Sequence, residues 1–143
     1  MTKIIHRITQ KIIIEDENLT IKELVEKAVK EKISLEYANL DNADLRGVNL
    51  ENCDLQDANL TNSNLHKVDL INSNLENVDL RNSNLENCNL QGADLRGADL
   101  RNSDLIGSNL EGAYLDGCKF HKDQLKDLLK GLKIKVINKK END

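Results

Sequence analysis

Leucine stands at every fifth position from Leu35 to Leu115, and Phe120 takes the next place. No helix has that period, and the register runs without an insertion, so the repeat fixes the fold before any propensity is weighed. Two residues before each leucine stands a small or modest side chain, such as Ala38, Val48, Cys53, Ala58, Ser63 or Ala93. The residue between is almost always Asn or Asp. Small, polar, leucine is a short strand pattern in which the outer two side chains share one face and the middle one takes the other. The remaining two positions are polar or glycine, as in Arg46-Gly47, Glu51-Asn52 and Gln91-Gly92, and suit a corner with left-handed dihedrals. Extended segment, corner, extended segment coils a chain around an axis, and successive coils bond at about 4.8 Å spacing.

The run Ala93-Asp94-Leu95-Arg96-Gly97-Ala98-Asp99-Leu100-Arg101 spells A(D/N)LxG and closely resembles the pentapeptide-repeat family. The resemblance covers roughly Leu35 to Phe120. It implies an all-β solenoid, a right-handed quadrilateral β-helix of about four coils with four pentapeptides to each. Residues twenty apart then stack in columns. The expected core consists of Leu40, Leu60, Leu80, Leu100 and Phe120 in one column, and Leu45, Leu65, Leu85 and Leu105 in the next. Leu50, Leu70, Leu90 and Leu110 form a third, and Leu55, Leu75, Leu95 and Leu115 a fourth. Cys53, Cys88 and Cys118 fall in three different inner columns, so disulfides between neighbouring coils are not expected and inert, buried thiols are.

The flanks break the repeat and suit end caps, because a β-helix exposes unpaired backbone at both ends. The expected organisation is an N-terminal cap over residues 1–34, the β-helix over 35–120 and a C-terminal cap over 121–143. Lys3 to Ile14 carries Ile4, Ile5, Ile8 and Ile12-Ile13-Ile14 and reads as one or two strands. Thr20 and Glu23 make a capping box for a helix expected from Ile21 to Lys32, with Tyr37 helping to seal that end. Gln124 to Lys130 reads as a second helix stopped by Gly131, and Leu132, Ile134 and Val136 as a final half-buried strand that could pair with the N-terminal one.

Charge narrows the function classes. Residues 1–35 carry 7 bases and 6 acids, residues 36–120 carry 6 and 15, and residues 121–143 carry 7 and 4, giving +1, −9 and +3. An acidic rod disfavours direct nucleic-acid binding. No secretory signal or apolar run long enough to span a bilayer is evident, so a soluble, cytoplasmic protein is expected, without a membrane role. His6, His66 and His121 are scattered, the cysteines lack ligand spacing, and no phosphate-binding glycine loop is present. Neither catalysis nor a metal or other cofactor is expected.

Candidate contact residues are the outward acids Asp79, Asp99 and Asp94, the outward Tyr114, and Ile71 and Ile106, apolar at normally polar positions on adjacent faces. Stacked Asn42, Asn62, Asn82 and Asn102 are expected to form a structural amide ladder. The expected partner is another protein, with the chain a monomer or a homodimer through its terminal segments. Two roles stay open: a non-enzymatic scaffold that binds a protein through its surface or ends, and, as the resemblance implies, an acidic DNA mimic that binds a type II topoisomerase such as DNA gyrase.

Overall fold

The computed structural model describes residues 1–133. Middle residues twenty apart bridge in parallel, as in Asn39, Asn59, Asp79, Asp99 and Lys119, and three further columns do the same. The result is a four-sided solenoid. Its first to fourth faces carry the columns that begin at Leu40, Leu45, Leu50 and Leu55.

One rule of polarity builds every rung. The leucine N–H points toward the C-terminal end, as Leu60 to the Asp79 carbonyl at 2.8 Å, and the middle residue's N–H points back, as Asp79 to the Ala58 carbonyl at 3.0 Å. Corners close by a bond across four residues, as Ser63 N–H to the Leu60 carbonyl at 3.2 Å. The third residue of each such turn has positive φ, at every fifth position from Tyr37 to Gly117. This is the geometry that favours glycine or asparagine. The corner residue before it has no ladder acceptor for its own N–H. The middle Asn or Asp supplies one, as Asn59 Oδ1 does to Thr61 N–H at 3.1 Å. Asn and Asp therefore recur because each corner needs an acceptor two residues back.

The expected corner amide ladder is mostly absent as a ladder. Asn42, Asn62, Asn82 and Asn102 share left-handed backbone, with φ between 57° and 61°, but only Asn102 donates its amide to the Asn below, Asn82, at 3.2 Å. The side chains that bond from coil to coil are chiefly the middle ones, such as Asn59 to Asn39 and Asn109 to Asn89, each at 3.1 Å. Corner amides instead fill space below the glycine of the next coil. The Oδ1 of Asn77 occupies the position that a Cβ on Gly97 would need.

The lumen is dry and leucine-lined, with the leucines from Leu40 to Leu110 at most 2% exposed. Its buried serines give their hydroxyls to the leucine carbonyl three residues back, as Ser63 to Leu60 at 2.6 Å and Ser73 to Leu70 at 2.7 Å. No buried side-chain polar atom among the described residues lacks a partner. Serine is thus tolerated where alanine would also fit.

At the N-terminal end, β1 (Thr2–Ile5) and β2 (Ile12–Asp16) form an antiparallel hairpin. β1 adds to the first face, where Asn39 N–H donates to the Ile5 carbonyl at 2.8 Å. α1 (Ile21–Lys30) begins at the expected capping box and ends two residues early, and Leu24, Val25 and Ala28 are buried. A Lys27–Asp16 ion pair at 3.0 Å ties it to the hairpin. Tyr37 stacks on His6 with ring centroids 4.8 Å apart.

The C-terminal end corrects three expectations. Phe120 is 40% exposed rather than in the core, and Leu115 and Cys118 are only partly buried, because no complete coil lies beyond them. The expected helix is a 3₁₀ turn, Lys122–Gln124, followed by α2 (Leu125–Gly131). Gly131 belongs to α2 and does not stop it. A Cβ there would meet Leu110 Cδ1 at 2.8 Å, and its carbonyl accepts the Leu110 N–H at 3.0 Å, so glycine permits close approach of helix and coil. Gln124 is buried, and its amide donates to the Leu100 and Ser103 carbonyls, both at 2.8 Å. The proposed final strand lies largely outside the described residues.

Leu80→Ala should lower the unfolding free energy by about 2–5 kcal/mol, whereas Phe120→Ala should cost about 1 kcal/mol or less. Chemical denaturation checks both. Gly97→Ala should cost about 1–2 kcal/mol through its left-handed backbone and the Asn77 amide. Asn77→Gly in the same chain should recover part of that loss in the same measurement.

Candidate functional site

The outward acids are not free. At Asp44, Asp79, Asp94 and Asp99 the carboxylate that accepts the corner N–H also grips the guanidinium of that corner residue, Arg46, Arg81, Arg96 or Arg101. Each pair is two-pronged, with Nε to Oδ1 at 2.8 Å throughout. The second prong, Nη2 to Oδ2, is 2.5 Å at Asp99 and 2.6 Å at the other three. The turn that needs an acceptor thereby positions an ion pair. Arg81 also reaches Asp99 at 3.9 Å, and Arg96 reaches Glu76 on the coil below at 3.7 Å.

The hydrogen bonds and charge of Arg96 and Arg101 hold the Asp94 and Asp99 carboxyls below the usual carboxylate range. At Asp79, partial burial pushes upward, but the Arg81 bonds and charge outweigh it and the net direction is also down.

Paired and unpaired acids thus both occur along the rod, Asp69, Asp104 and Asp116 being among the unpaired. In the N-terminal part Glu36, Asp54 and Asp57, near the edge between the fourth and first faces, and Asp41, at the other edge of the first face, make no ion pair among the described residues. The Asp57 carboxylate, by its charge, raises the neighbouring Tyr37 phenol above its ordinary value. Asp79, Asp94 and Asp99, the acids singled out by the sequence, are the neutralised ones. Tyr114 is 58% exposed, one coil beyond Asp94 in the fourth face. Ile106 is exposed and Ile71 half-buried. They lie on different corners and two coils apart, roughly 10 Å along the axis, so they do not make one patch.

Groups with nucleophilic or acid–base chemistry stay dispersed. His6 accepts the Ile8 and Thr9 N–H groups at its Nδ1, both at 3.3 Å, and His66 lies 3.6 Å from Glu86 on the next coil. Burial pushes the Cys88 thiol up to about 12 and the Cys53 and Cys118 thiols to about 11, far from the thiolate that a nucleophile requires. Among the described residues no three His, Cys, Asp or Glu side chains are grouped to hold a metal ion.

The main concavities lie at the N-terminal rim. One of about 420 Å³ is lined by Val29, Lys32, Ile33, Ser34, Glu51, Asn52, Cys53 and Asp54. Its neighbour, a more open one of about 510 Å³, is lined by Glu26, Val29, Lys30, Gly47, Asn49 and Glu51. The repeat pattern carries no sign of them, because they arise where a helix replaces a rung.

A parallel, four-sided solenoid of five-residue steps with solvated corners defines a class of repeat protein, and the comparisons agree. The family model for pentapeptide repeats matches residues 38–77, 63–102 and 83–121. The chain belongs to the pentapeptide-repeat family, and its rod is the family's right-handed quadrilateral β-helix. The pentapeptide repeat protein alr5209 from Nostoc is similar at 31% identity over 81% of this chain and 96% of its own, with a TM-score of 0.57. Rfr23 from Cyanothece is 40% identical over 59% of this chain and 61% of its own, with a TM-score of 0.39. QnrB1, a plasmid-mediated fluoroquinolone resistance protein, is 26% identical over 69% of this chain and 45% of its own, with a TM-score of 0.44. No curated protein matches the chain.

Carboxyls held low in the fold stabilise it fully above the unfolded value, about pH 4, and that stabilisation is lost as pH falls through the folded value. Arg101→Ala, which releases Asp99, should therefore flatten the fall in thermal midpoint between about pH 5 and pH 2. Thermal melts of both proteins across that range check this.

Proposed function

We propose that this chain is a non-enzymatic scaffold that binds another protein through its rod surface. The supporting observation is the unneutralised acidic flank of Glu36, Asp41, Asp54 and Asp57, set on a rigid ladder beside a half-buried tyrosine, Tyr37. Fixed charges on a rigid frame steer a partner of opposite charge without an ordering cost. The scattered histidines and high-pKa thiols favour binding over catalysis.

The narrower form of this reading is an acidic mimic of DNA that occupies the basic groove of a type II topoisomerase. The same flank favours it, and the paired arginines of Asp79, Asp94 and Asp99 count against a mimic that runs the whole length of the rod.

Affinity capture from lysate at low and high salt tests the broad form. The expected result is a partner retained at low salt, released at high salt, and lost with the Glu36→Lys/Asp57→Lys variant. Capture indifferent to that variant would remove the flank from the account. Gyrase supercoiling with and without a quinolone tests the narrow form, which predicts inhibition or protection that the same variant abolishes.

A further inference from the structure

The polarity of the rungs decides what the N-terminal end offers. In every coil the middle residue of a face directs both its N–H and its carbonyl toward that end. Leu50 N–H donates to the Asp69 carbonyl at 2.7 Å, and Asp69 N–H donates to the Val48 carbonyl at 3.1 Å. The first coil therefore presents Asn39, Asp44, Asn49 and Asp54 outward along the axis. β1 satisfies Asn39 N–H, and Leu35 N–H donates to the Asp54 carbonyl at 3.1 Å. Lys22 of α1 takes the Arg46 carbonyl, on the corner after the second face, at 2.7 Å, while Asp44 N–H and carbonyl on that face have no backbone partner among the described residues. On the third face, neither the N–H nor the carbonyl of Asn49 has a partner among the described residues.

This open edge borders a groove. The two cavities at the rim share Val29 and Glu51 and run between the flank of α1 and the edge of the third face. Lys30 and Lys32 stand on the helix side, and Glu51 and Asp54 on the rim side. An exposed strand edge beside an apolar trough is the geometry of strand addition, in which main-chain bonds give affinity and alternate side chains give specificity. The first face already shows its rim covered by an added strand, β1, which runs antiparallel to it, whereas the coils themselves stack in parallel.

We propose that the open rim of the third face binds an extended peptide segment of another protein, added as one further parallel rung. Asn49 N–H donates to the carbonyl of a small residue of the peptide, and the N–H of the apolar residue two places on donates to the Asn49 carbonyl. The residue after that lies above Glu51, and charge selects a base there. Within the rod the same vertical relation pairs Arg96 with Glu76 at 3.7 Å and brings His66 to 3.6 Å from Glu86. The partner segment thus reads small, polar, apolar, basic. This extends the scaffold reading to a second site, which adjoins the acidic flank at Asp54 but does not include Glu36 or Asp57.

The probe is an acetylated, amidated peptide that copies Gln91–Leu100 of this chain, which aligns Asp94 with Asn49 and Arg96 with Glu51. Amide NMR spectra of the full chain, titrated to about 1 mM peptide, should show the Asn49 resonance shift, and its hydrogen exchange should slow about tenfold or more near saturation. Glu51→Lys in the protein, or Arg96→Glu in the peptide, should weaken binding about two- to fivefold, with the dispersion of the spectrum reporting an intact fold. N-methylation of Leu95 in the peptide should abolish binding. The Glu36→Lys/Asp57→Lys variant should still bind, so failure of the flank reading leaves this result in place. No Asn49 shift at the highest concentration, shifts confined to the acidic flank, or an Asn49 shift driven by protein concentration alone, which marks a second copy as occupant, would each overturn the proposal.

Discussion

Every level of this structure depends on the corner. A chain that turns at every fifth residue must place one residue of each turn at positive φ and strip the preceding one of its ladder acceptor. For a side chain with a Cβ the left-handed backbone costs about 1–2 kcal/mol, less for asparagine, whose short amide bonds locally. The rod meets this demand with Asn or Gly at most corners, yet Tyr37, Asp57 and Lys67 adopt it as well. Those residues are held there by rungs above and below. The middle carboxamide or carboxylate completes the turn, and where it is a carboxylate followed by arginine the same atoms make an ion pair. Fold and surface electrostatics thus come from one local bond.

The interior was legible in the sequence because it is repetitive. Leucines twenty apart are neighbours across coils, the capping box at Thr20 starts α1, and the small inner residues face the lumen. What escaped depends on position along the axis rather than on local pattern. Phe120 continues the register perfectly, but a column position is buried only when a complete coil covers it. Gly131 looks like a helix stop because sequence cannot show Leu110 pressed beneath it. Gln124 resembles any polar helix residue until its amide is placed over the Leu100 and Ser103 carbonyls.

The candidate site divides in the same way. The total acidity of the rod could be counted, and Asp79, Asp94 and Asp99 were natural choices within it. An arginine two residues after each of them was also visible. The turn that brings the pair together was the missing link, and it leaves Glu36, Asp41, Asp54 and Asp57 among the unneutralised acids in place of Asp79, Asp94 and Asp99. The groove beside α1 left no trace in the repeat, since it exists only where the repeat is interrupted.

The quarter-turn step has a consequence for how such a chain can change over generations. Inserting or deleting twenty residues returns every downstream side chain to its own column, while five residues preserve the alternation of inside and outside but rotate all that follows by about a right angle. Because Gln124 is seated on the Ser103 carbonyl and α2 on Leu110, a five-residue change would swing the 3₁₀ turn and α2 to a different side of the rod with the lumen undisturbed. The lengthening of a gene by fifteen nucleotides is, for this architecture, a way to re-aim one end against the other.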